Sequence, residues 1–361
     1  MPILIDGRPL QTPSASRGIG RYVGHIQRAF AGDGRCRFLF FRGDDVPSGH
    51  DGPVLTPSPR RLITLSDSFF LPPLFRRHAI SAYHSTAFAL PRRTAKVRCL
   101  LTVFDLTLLK FPEKSSWRHR QVSRRIIESA GRADVIMPIS KKTAADLREF
   151  TAIEPSRLRV VYPMLDDRLV AANAEKPAAA LPGEYLLYVG GADPTKNIET
   201  LLRAAGRLGL PLLVAGPISA QRIRELLRPL PAAERRLVSF LGCVPDSHLA
   251  YLYRGAMAFV FPGLNEGFGY PPLESLQCGT PAVVSRAGAL PEILENAALY
   301  VNDPLDPGEW SARIRSLLES PDLKRELLAR AAGLLPRYSP AAFRKNLECA
   351  YFPGGPIANE A

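Results

Sequence analysis

Residues 257–296, MAFVFPGLNEGFGYPPLESLQCGTPAVVSRAGALPEILEN, constrain this chain more than any other stretch. A hydrophobic run at 257–261 leads into a Gly-rich loop that carries Glu266. Pro271 and Pro272 then open a helical pattern bearing Glu274, and a second apolar run follows at 281–285. Strand, loop, helix and strand in that order specify a parallel sheet, because parallel neighbours need a crossover connection. The same order places two carboxylates and a cluster of uncovered backbone amides at the sheet's carboxyl edge, where open α/β folds bind their ligands.

The loop Gly263-Leu264-Asn265-Glu266-Gly267-Phe268-Gly269 holds no nucleophile. Its glycines leave N–H groups uncovered, and the adjacent prolines supply the fixed φ of a helix start. A helix N-terminus with bare amides is an anion site suited to phosphate. Glu274 is expected in the first turn of that helix, near the same mouth. A carboxylate beside a phosphate repels it unless it contacts neutral hydroxyls, and the vicinal diol of a ribose is a natural partner. Glu266 falls nearer to where a sugar ring would sit. The plainer alternative has Glu274 capping its own helix and Glu266 in water.

The rest of the chain alternates in the same way. Strand-like runs fall at 3–6, 37–41, 79–84, 99–105, 135–140 and 158–162, with helical stretches near 20–31, 116–130 and 141–150. The second half offers strands at 185–190, 212–216, 238–242, 258–262, 282–285 and 299–301. Helices are expected to start near Asn197, Ser219, Asp246, Pro272 and Leu290, followed by 307–319, 322–335 and 340–351. This alternation predicts an α/β fold with parallel sheets covered on both faces. A length of 361 residues and 46% apolar content suit two domains, each with its own core. The Ala/Pro-rich stretch VAANAEKPAAALPG at 170–183 reads as a linker. The expected division is residues 1–168, a linker at 169–183, a second domain at 184–338, and a last helix within 339–361 packing back toward the first domain.

No apolar run is long enough for a membrane span, and the N-terminus goes straight into Ile3-Leu4-Ile5-Asp6 without a leader pattern. Five scattered cysteines without a CxxC argue against a disulfide framework or zinc site, so a cytoplasmic location is expected. Charge is uneven. Residues 1–165 hold 27 Lys and Arg against 13 Asp and Glu, whereas 166–361 hold 20 against 21. Such asymmetry suggests an anionic partner for the first half: an acidic membrane, nucleic acid or phosphorylated substrates. Ordinary solvated Arg-rich faces are the alternative. The stretch 114–132, KSSWRHRQVSRRIIESAGR, concentrates this charge on a helix-like pattern, with Val122, Ile126 and Ala130 on one face and Arg118, Arg124 and Arg125 largely elsewhere. It reads either as a face for anionic lipid or as an amphipathic helix with a wet side.

Glu266-x7-Glu274 within NEGFGYPPLESLQCGTPAVVS resembles the E-x7-E signature of retaining glycosyltransferases of family 4, which have the GT-B architecture of two doubly wound Rossmann-like domains facing across a cleft. The resemblance runs through most of the chain. Tyr188-Val189-Gly190-Gly191-Ala192-Asp193-Pro194-Thr195-Lys196-Asn197 resembles the first strand and phosphate loop of the donor domain. Val135-Ile136-Met137-Pro138-Ile139-Ser140, the loop Gly18-Ile19-Gly20-Arg21-Tyr22, and Val103-Phe104-Asp105-Leu106 with Phe111-Pro112-Glu113 resemble elements of the acceptor domain. The paired glutamates are the specific part; the other pieces fall in the right order.

The resemblance implies that Glu274 binds the nucleotide ribose and that Glu266 holds a donor-sugar hydroxyl. It implies that amides of Gly267, Phe268 and Gly269 face the sugar and diphosphate, and that Lys196 neutralises the leaving diphosphate. Gly18 and Gly20 would close over the phosphates, Val244 would lie near the base, and Asp105 near the sugar. Two departures stand out. Gly191 occupies the position where many relatives place a phosphate-binding arginine, which leaves Lys196, helix amides and Arg17 or Arg21 to carry that charge. Phe104-Asp105 replaces the usual His-Asp pair, so His84 is the candidate histidine for the cleft. Both departures resemble bacterial polysaccharide mannosyltransferases, which makes GDP-mannose the expected donor.

The sequence has no Asp-x-Asp, and its six histidines are unpaired, so neither a metal nor a cofactor is expected. The expected activity is metal-independent, retaining hexosyl transfer from a nucleotide diphosphate sugar to a hydroxyl of a growing, lipid-linked or cell-surface glycan, on the inner face of the cell membrane. A nucleotide-sugar epimerase or hydrolase of similar fold is the enzymatic alternative, with His84 and Asp105 as acid–base groups. A basic nucleic-acid-binding protein is the other class, and it is disfavoured because no recognition helix, finger or stacking motif is present.

Overall fold

A computed structural model describes residues 2–13, 15, 18–41, 46, 54–55, 63–86, 89–92, 96–111, 117–178 and 181–352. The chain divides into two compact units, one running to Met164 and resuming at Tyr338, the other spanning Leu165 to Arg337.

The first unit contains β1 (Ile3–Asp6), β2 (Cys36–Leu39), β3 (Val54–Leu55), β4 (Ala82–Ser85), β5 (Arg98–Val103) and β6 (Val135–Pro138). Among the described residues they form one sheet in the order β3-β2-β1-β4-β5-β6, and every pairing is parallel. The two central strands, β1 and β4, are buried along their whole length, as expected when both faces are covered. Ile3 lies opposite Cys36 on one side and Ala82 on the other. Leu4, Leu39, Tyr83, Leu101 and Ile136 share one core with Phe75, Ile126 and Leu147 from the covering helices.

Those helices end where local chemistry allows. Helix Lys141–Phe150 starts after Ser140, whose Oγ accepts the Thr143 amide at 3.1 Å. The last helix, Pro340–Tyr351, starts after Ser339 with proline at its first position and buries Phe343, Leu347, Ala350 and Tyr351 in the first unit. Phe343 meets Tyr22 of helix Gly18–Ala29 edge-on at 5.5 Å between centroids. Helix Trp117–Arg132 turns Ile126 and Ala130 into the core and leaves Arg124 and Arg125 exposed. Residues 112–116 and the Arg118 side chain lie outside the described residues.

One helix appears that the sequence pattern did not offer, and one expected strand is corrected. Ile63–Arg77 is helical although Pro72 and Pro73 lie inside it. The run at 158–162 supplies only an isolated bridge, Leu158 to Ile136. Pro138 on the facing strand has no N–H to donate, which cuts the ladder short.

The second unit contains β7 (Leu186–Val189), β8 (Leu212–Ala215), β9 (Val238–Gly242), β10 (Ala258–Phe261), β11 (Ala282–Ser285) and β12 (Leu299–Val301). Among the described residues they form another all-parallel sheet, ordered β12-β11-β10-β7-β8-β9. Strand order therefore reverses between β7 and β10, and the loops leaving these neighbours flank the switch point, where such sheets bind ligands. The second unit begins at Leu165, earlier than the Ala/Pro composition suggests. Leu165, Asp166 and Leu169 are buried, and the short helix Arg168–Ala171 packs on helix Asp246–Gly255. Among the described residues, no helix is long and apolar enough to cross a membrane.

Candidate functional site

The loop after β7 makes a single turn, Pro194–Lys196, and then Asn197 adopts a left-handed conformation at φ +53°. Asn tolerates that region better than other non-glycine residues. The Asn197 Nδ2 donates to the Pro262 carbonyl at 3.2 Å, fastening this turn to the loop that leaves β10, and to the Pro304 carbonyl beyond β12 at 2.6 Å. The Leu264 amide adds a bond to the Thr195 carbonyl at 2.7 Å. The two switch-point loops are thus one hydrogen-bonded assembly.

That assembly joins Lys196 to Glu266. The Lys196 Nζ donates to Glu266 Oε1 at 2.7 Å and lies 5.8 Å from the centre of the Phe261 ring. Both side chains are partly shielded from water, which strengthens the pair relative to a surface ion pair. Helix Ile198–Leu208 begins directly after the lysine turn, so its positive end reinforces the lysine charge.

Glu266 is also fixed through its backbone. Its carbonyl accepts the Ala289 amide at 2.8 Å, from the loop after β11. Gly288, at φ +59°, lets that loop approach: a Cβ there would lie 2.3 Å from the Glu266 nitrogen. Gly269 opens the next helix at φ +95°, where a Cβ would meet Leu290. Gly267 is half-buried, and the Phe268 ring is buried against Tyr270 at 5.1 Å between centroids. This leaves the backbone of 267–269 as the polar surface those residues can offer.

Helix Tyr270–Gln277 starts two residues before the expected position, since Pro271 and Pro272 both fit within its first turn. Glu274 therefore lies in the second turn, a correction to its expected place at the helix mouth. Its side chain is only 3% exposed, with Oε2 accepting from the Tyr253 hydroxyl at 3.0 Å and Oε1 facing Arg168 at 3.3 Å. The reading of Glu274 as the cap of its own helix fails, because Gly269 at the cap makes no side-chain bond and Glu274 lies beyond the first turn.

Gly191 is half-buried and its carbonyl accepts the Tyr188 hydroxyl at 2.6 Å. Val244 is half-buried just past β9. Arg222 comes forward where Gly191 withholds a cation: its Nε donates to the Ala192 carbonyl at 3.1 Å, and its guanidinium pairs with Glu199. Sequence reading missed Tyr253, Arg168, Gly288 and Arg222. Each reaches the site from another element, and no local spacing announces them.

In the first unit, Asp105 is exposed beyond β5, where its Oδ1 accepts the Thr107 amide at 3.0 Å. Gly18 is exposed at the start of helix Gly18–Ala29, with Gly20 buried and Arg21 half-buried on it; Arg17 lies outside the described residues. His84 is corrected. It is fully buried, with Nδ1 bonded to the Tyr351 hydroxyl at 2.8 Å and Nε2 to Thr102 Oγ1 at 2.7 Å. Burial pushes its pKa down to about 3 and keeps the ring neutral, so it lines no open surface. The same unit buries an unforeseen ion cluster, Arg8 bonded to Asp6 at 2.8 Å, Asp67 at 2.8 Å and Tyr83 at 3.3 Å, where the chain leaves β1. Among the described residues, no group of three or more His, Cys, Asp or Glu side chains converges as a metal site would.

Comparison with known proteins gives this geometry a family. Residues 171–333 match the family described as Glycosyl transferases group 1, and residues 16–169 match Glycosyltransferase Family 4. The chain is 34% identical to the O-antigen chain mannosyltransferase B of Escherichia coli, over 70% of this chain and 68% of that protein. It is 26% identical to the serotype-specific mannosyltransferase WbdA of Escherichia coli, over 94% of this chain but only 46% of that protein. Among solved structures, the sucrose-phosphate synthase of Thermosynechococcus elongatus superposes with a TM-score of 0.75 at 20% identity, covering 97% of this chain and 98% of that one. That likeness is one of fold, two parallel-sheet α/β domains of the GT-B type. With the paired glutamates and the lysine turn at the switch point of its second sheet, the chain belongs to glycosyltransferase family 4.

Proposed function

We propose that this glycosyltransferase moves mannose from GDP-mannose to a hydroxyl of a growing, lipid-linked or cell-surface glycan, with retention at the anomeric carbon and without a metal or cofactor. The observation that carries the reading is the Lys196–Glu266 pair at the β7–β10 switch point, 2.7 Å apart. Mannosyl transfer is supported by the names of the two Escherichia coli relatives.

On this reading Lys196 and the amides of Gly267, Phe268 and Gly269 take the diphosphate, and Glu266 takes a hydroxyl of the sugar. Glu274 takes the ribose, Val244 lies beside the base, and Asp105, Gly18 and Gly20 keep the roles the family resemblance gives them. Attack comes from the face of the leaving group. The acceptor oxygen bonds to C1 as the bond from C1 to phosphate oxygen breaks, and a phosphate oxygen receives the acceptor's proton. The protein supplies orientation and leaving-group stabilisation rather than a nucleophile. The epimerase or hydrolase alternative loses one of its two acid–base groups, since His84 is buried. A cytoplasmic location, with peripheral attachment to the inner membrane face through the basic first half, completes the proposal.

Thermal-shift measurements with GDP, UDP and ADP and their sugar conjugates test the donor, because a nucleotide that binds the folded state raises its melting point. GDP and GDP-mannose are expected to give the largest shifts. Transfer assays with Lys196→Ala and Glu266→Gln should each lose about 10²-fold in rate, and EDTA should leave wild-type turnover intact. Wild-type rates in both variants would refute the site; a strict metal requirement would refute the metal-free chemistry.

A further inference from the structure

Glu274 is buried in the second turn of its helix, so neither the helix end nor water sets the direction of its carboxylate. Tyr253 and Arg168 are among the groups that touch it. The Tyr253 hydroxyl donates to Oε2 at 3.0 Å, and Tyr253 itself is fully buried. Its backbone carbonyl accepts from Thr280 Oγ1, and its ring packs on Phe259 at 5.6 Å between centroids. Arg168 approaches Oε1 at 3.3 Å but is 36% exposed and equally distant, at 3.3 Å, from Asp166 and Asp246. A guanidinium divided among three carboxylates and screened by water holds each of them weakly. A hydroxyl bond in a dry interior is stronger and better directed.

We propose that Tyr253 is the positioning residue for ribose recognition. Its hydroxyl pins Oε2 and turns Oε1, on the partly wet side, toward the diol of a nucleoside diphosphate. Arg168 is an exchangeable counter-charge at that oxygen and does not set its direction. The inference rests on the reading of Glu274 as the ribose acceptor, and the experiment separates the two.

Calorimetry compares whichever of GDP, UDP and ADP binds most tightly with its 2′,3′-dideoxy form, in wild type, Glu274→Gln, Tyr253→Phe and Arg168→Gln. Wild type is expected to bind the ribonucleotide at least tenfold more tightly, and Glu274→Gln should abolish that preference. Tyr253→Phe should cut the preference at least threefold, while Arg168→Gln keeps it within twofold. A generally loosened fold would weaken both nucleotides alike and leave the ratio unmoved. Equal binding of the two nucleotides by wild type would overturn the ribose reading itself. A wild-type preference that Glu274→Gln removes but Tyr253→Phe preserves would overturn the positioning role alone. Should Tyr253→Phe fail to fold, the part-exposed Arg168→Gln still decides, since loss of the preference there would make Arg168 the orienting group.

Discussion

At Gly288 the backbone holds φ +59°, and a Cβ there would come within 2.3 Å of the Glu266 nitrogen and 2.5 Å of its carbonyl oxygen. Those are backbone atoms and cannot rotate away as a side-chain tip would. Gly288→Ala is therefore expected to push Glu266 aside and to lower turnover by about 10²-fold, the cost of roughly 1 Å of misplacement at a reacting centre. Gly333→Ala is the control. That glycine lies within helix Pro321–Leu334 with open space around its Cα, so alanine should keep activity and raise stability by about 0.5–1 kcal/mol. Steady-state rates and denaturant midpoints of the two variants check both statements. Glu266 and Glu274 were legible in the sequence because their spacing, the glycines and the prolines all fall in one local segment. Tyr253, Arg168 and Gly288 were not, because their importance lies in what they touch across the fold. His84 misled for the same reason: a strand-end histidine looks alike whether it faces a cleft or a buried Tyr351.

At the scale of elements, parallel strands announce themselves as short, fully apolar runs, and most were found within a residue or two. Helix Ile63–Arg77 was hidden by its two internal prolines, which ordinarily end a helix. The ion cluster of Arg8, Asp6 and Asp67 could not be foreseen either, since it joins β1 to that unrecognised helix. Helix Pro340–Tyr351 shows how polar bonds fix an element whose main contact is apolar. Tyr351 meets the neutral His84 ring, and Arg98 donates to the Tyr351 carbonyl at 2.8 Å. The folded pKa of His84 is depressed to about 3, below an unfolded value of about 6.5. Its contribution is thus complete above pH 6.5 and is lost as pH falls toward 3, because the unfolded chain takes up the proton first. Urea midpoints measured from pH 7 to 4 should fall on acidification, with His84 contributing on the order of 1.4 kcal/mol per pH unit. The variant His84→Gln should show a shallower acid slope; an identical slope would remove His84 from the account.

For the whole molecule, charge separates the two halves more sharply than fold does. Residues 1–165 carry 27 basic against 13 acidic side chains, whereas 166–361 are almost balanced at 20 against 21. Helix Ile63–Arg77 adds exposed Phe69 and Phe70, 68% and 45% accessible, to exposed Arg76 and Arg77. Exposed aromatic rings and cations on the same helix suit the interface of an anionic bilayer. The full chain is expected to float with phosphatidylglycerol vesicles at low salt and to release as salt rises. Phe69→Ser with Phe70→Ser should weaken flotation more than salt alone does. No flotation at low salt would remove the membrane from the proposal.

The chain leaves the first unit at Met164 and returns to it at Tyr338. During synthesis the second unit has all its residues as soon as Arg337 emerges, while the first still lacks a helix that contributes Phe343, Leu347 and Tyr351 to its interior. The half made first is therefore completed last, and until then it waits on the ribosome with an uncovered apolar face. Chaperone dependence and aggregation during expression should accordingly originate in the N-terminal half, even though domains made earlier ordinarily fold earlier.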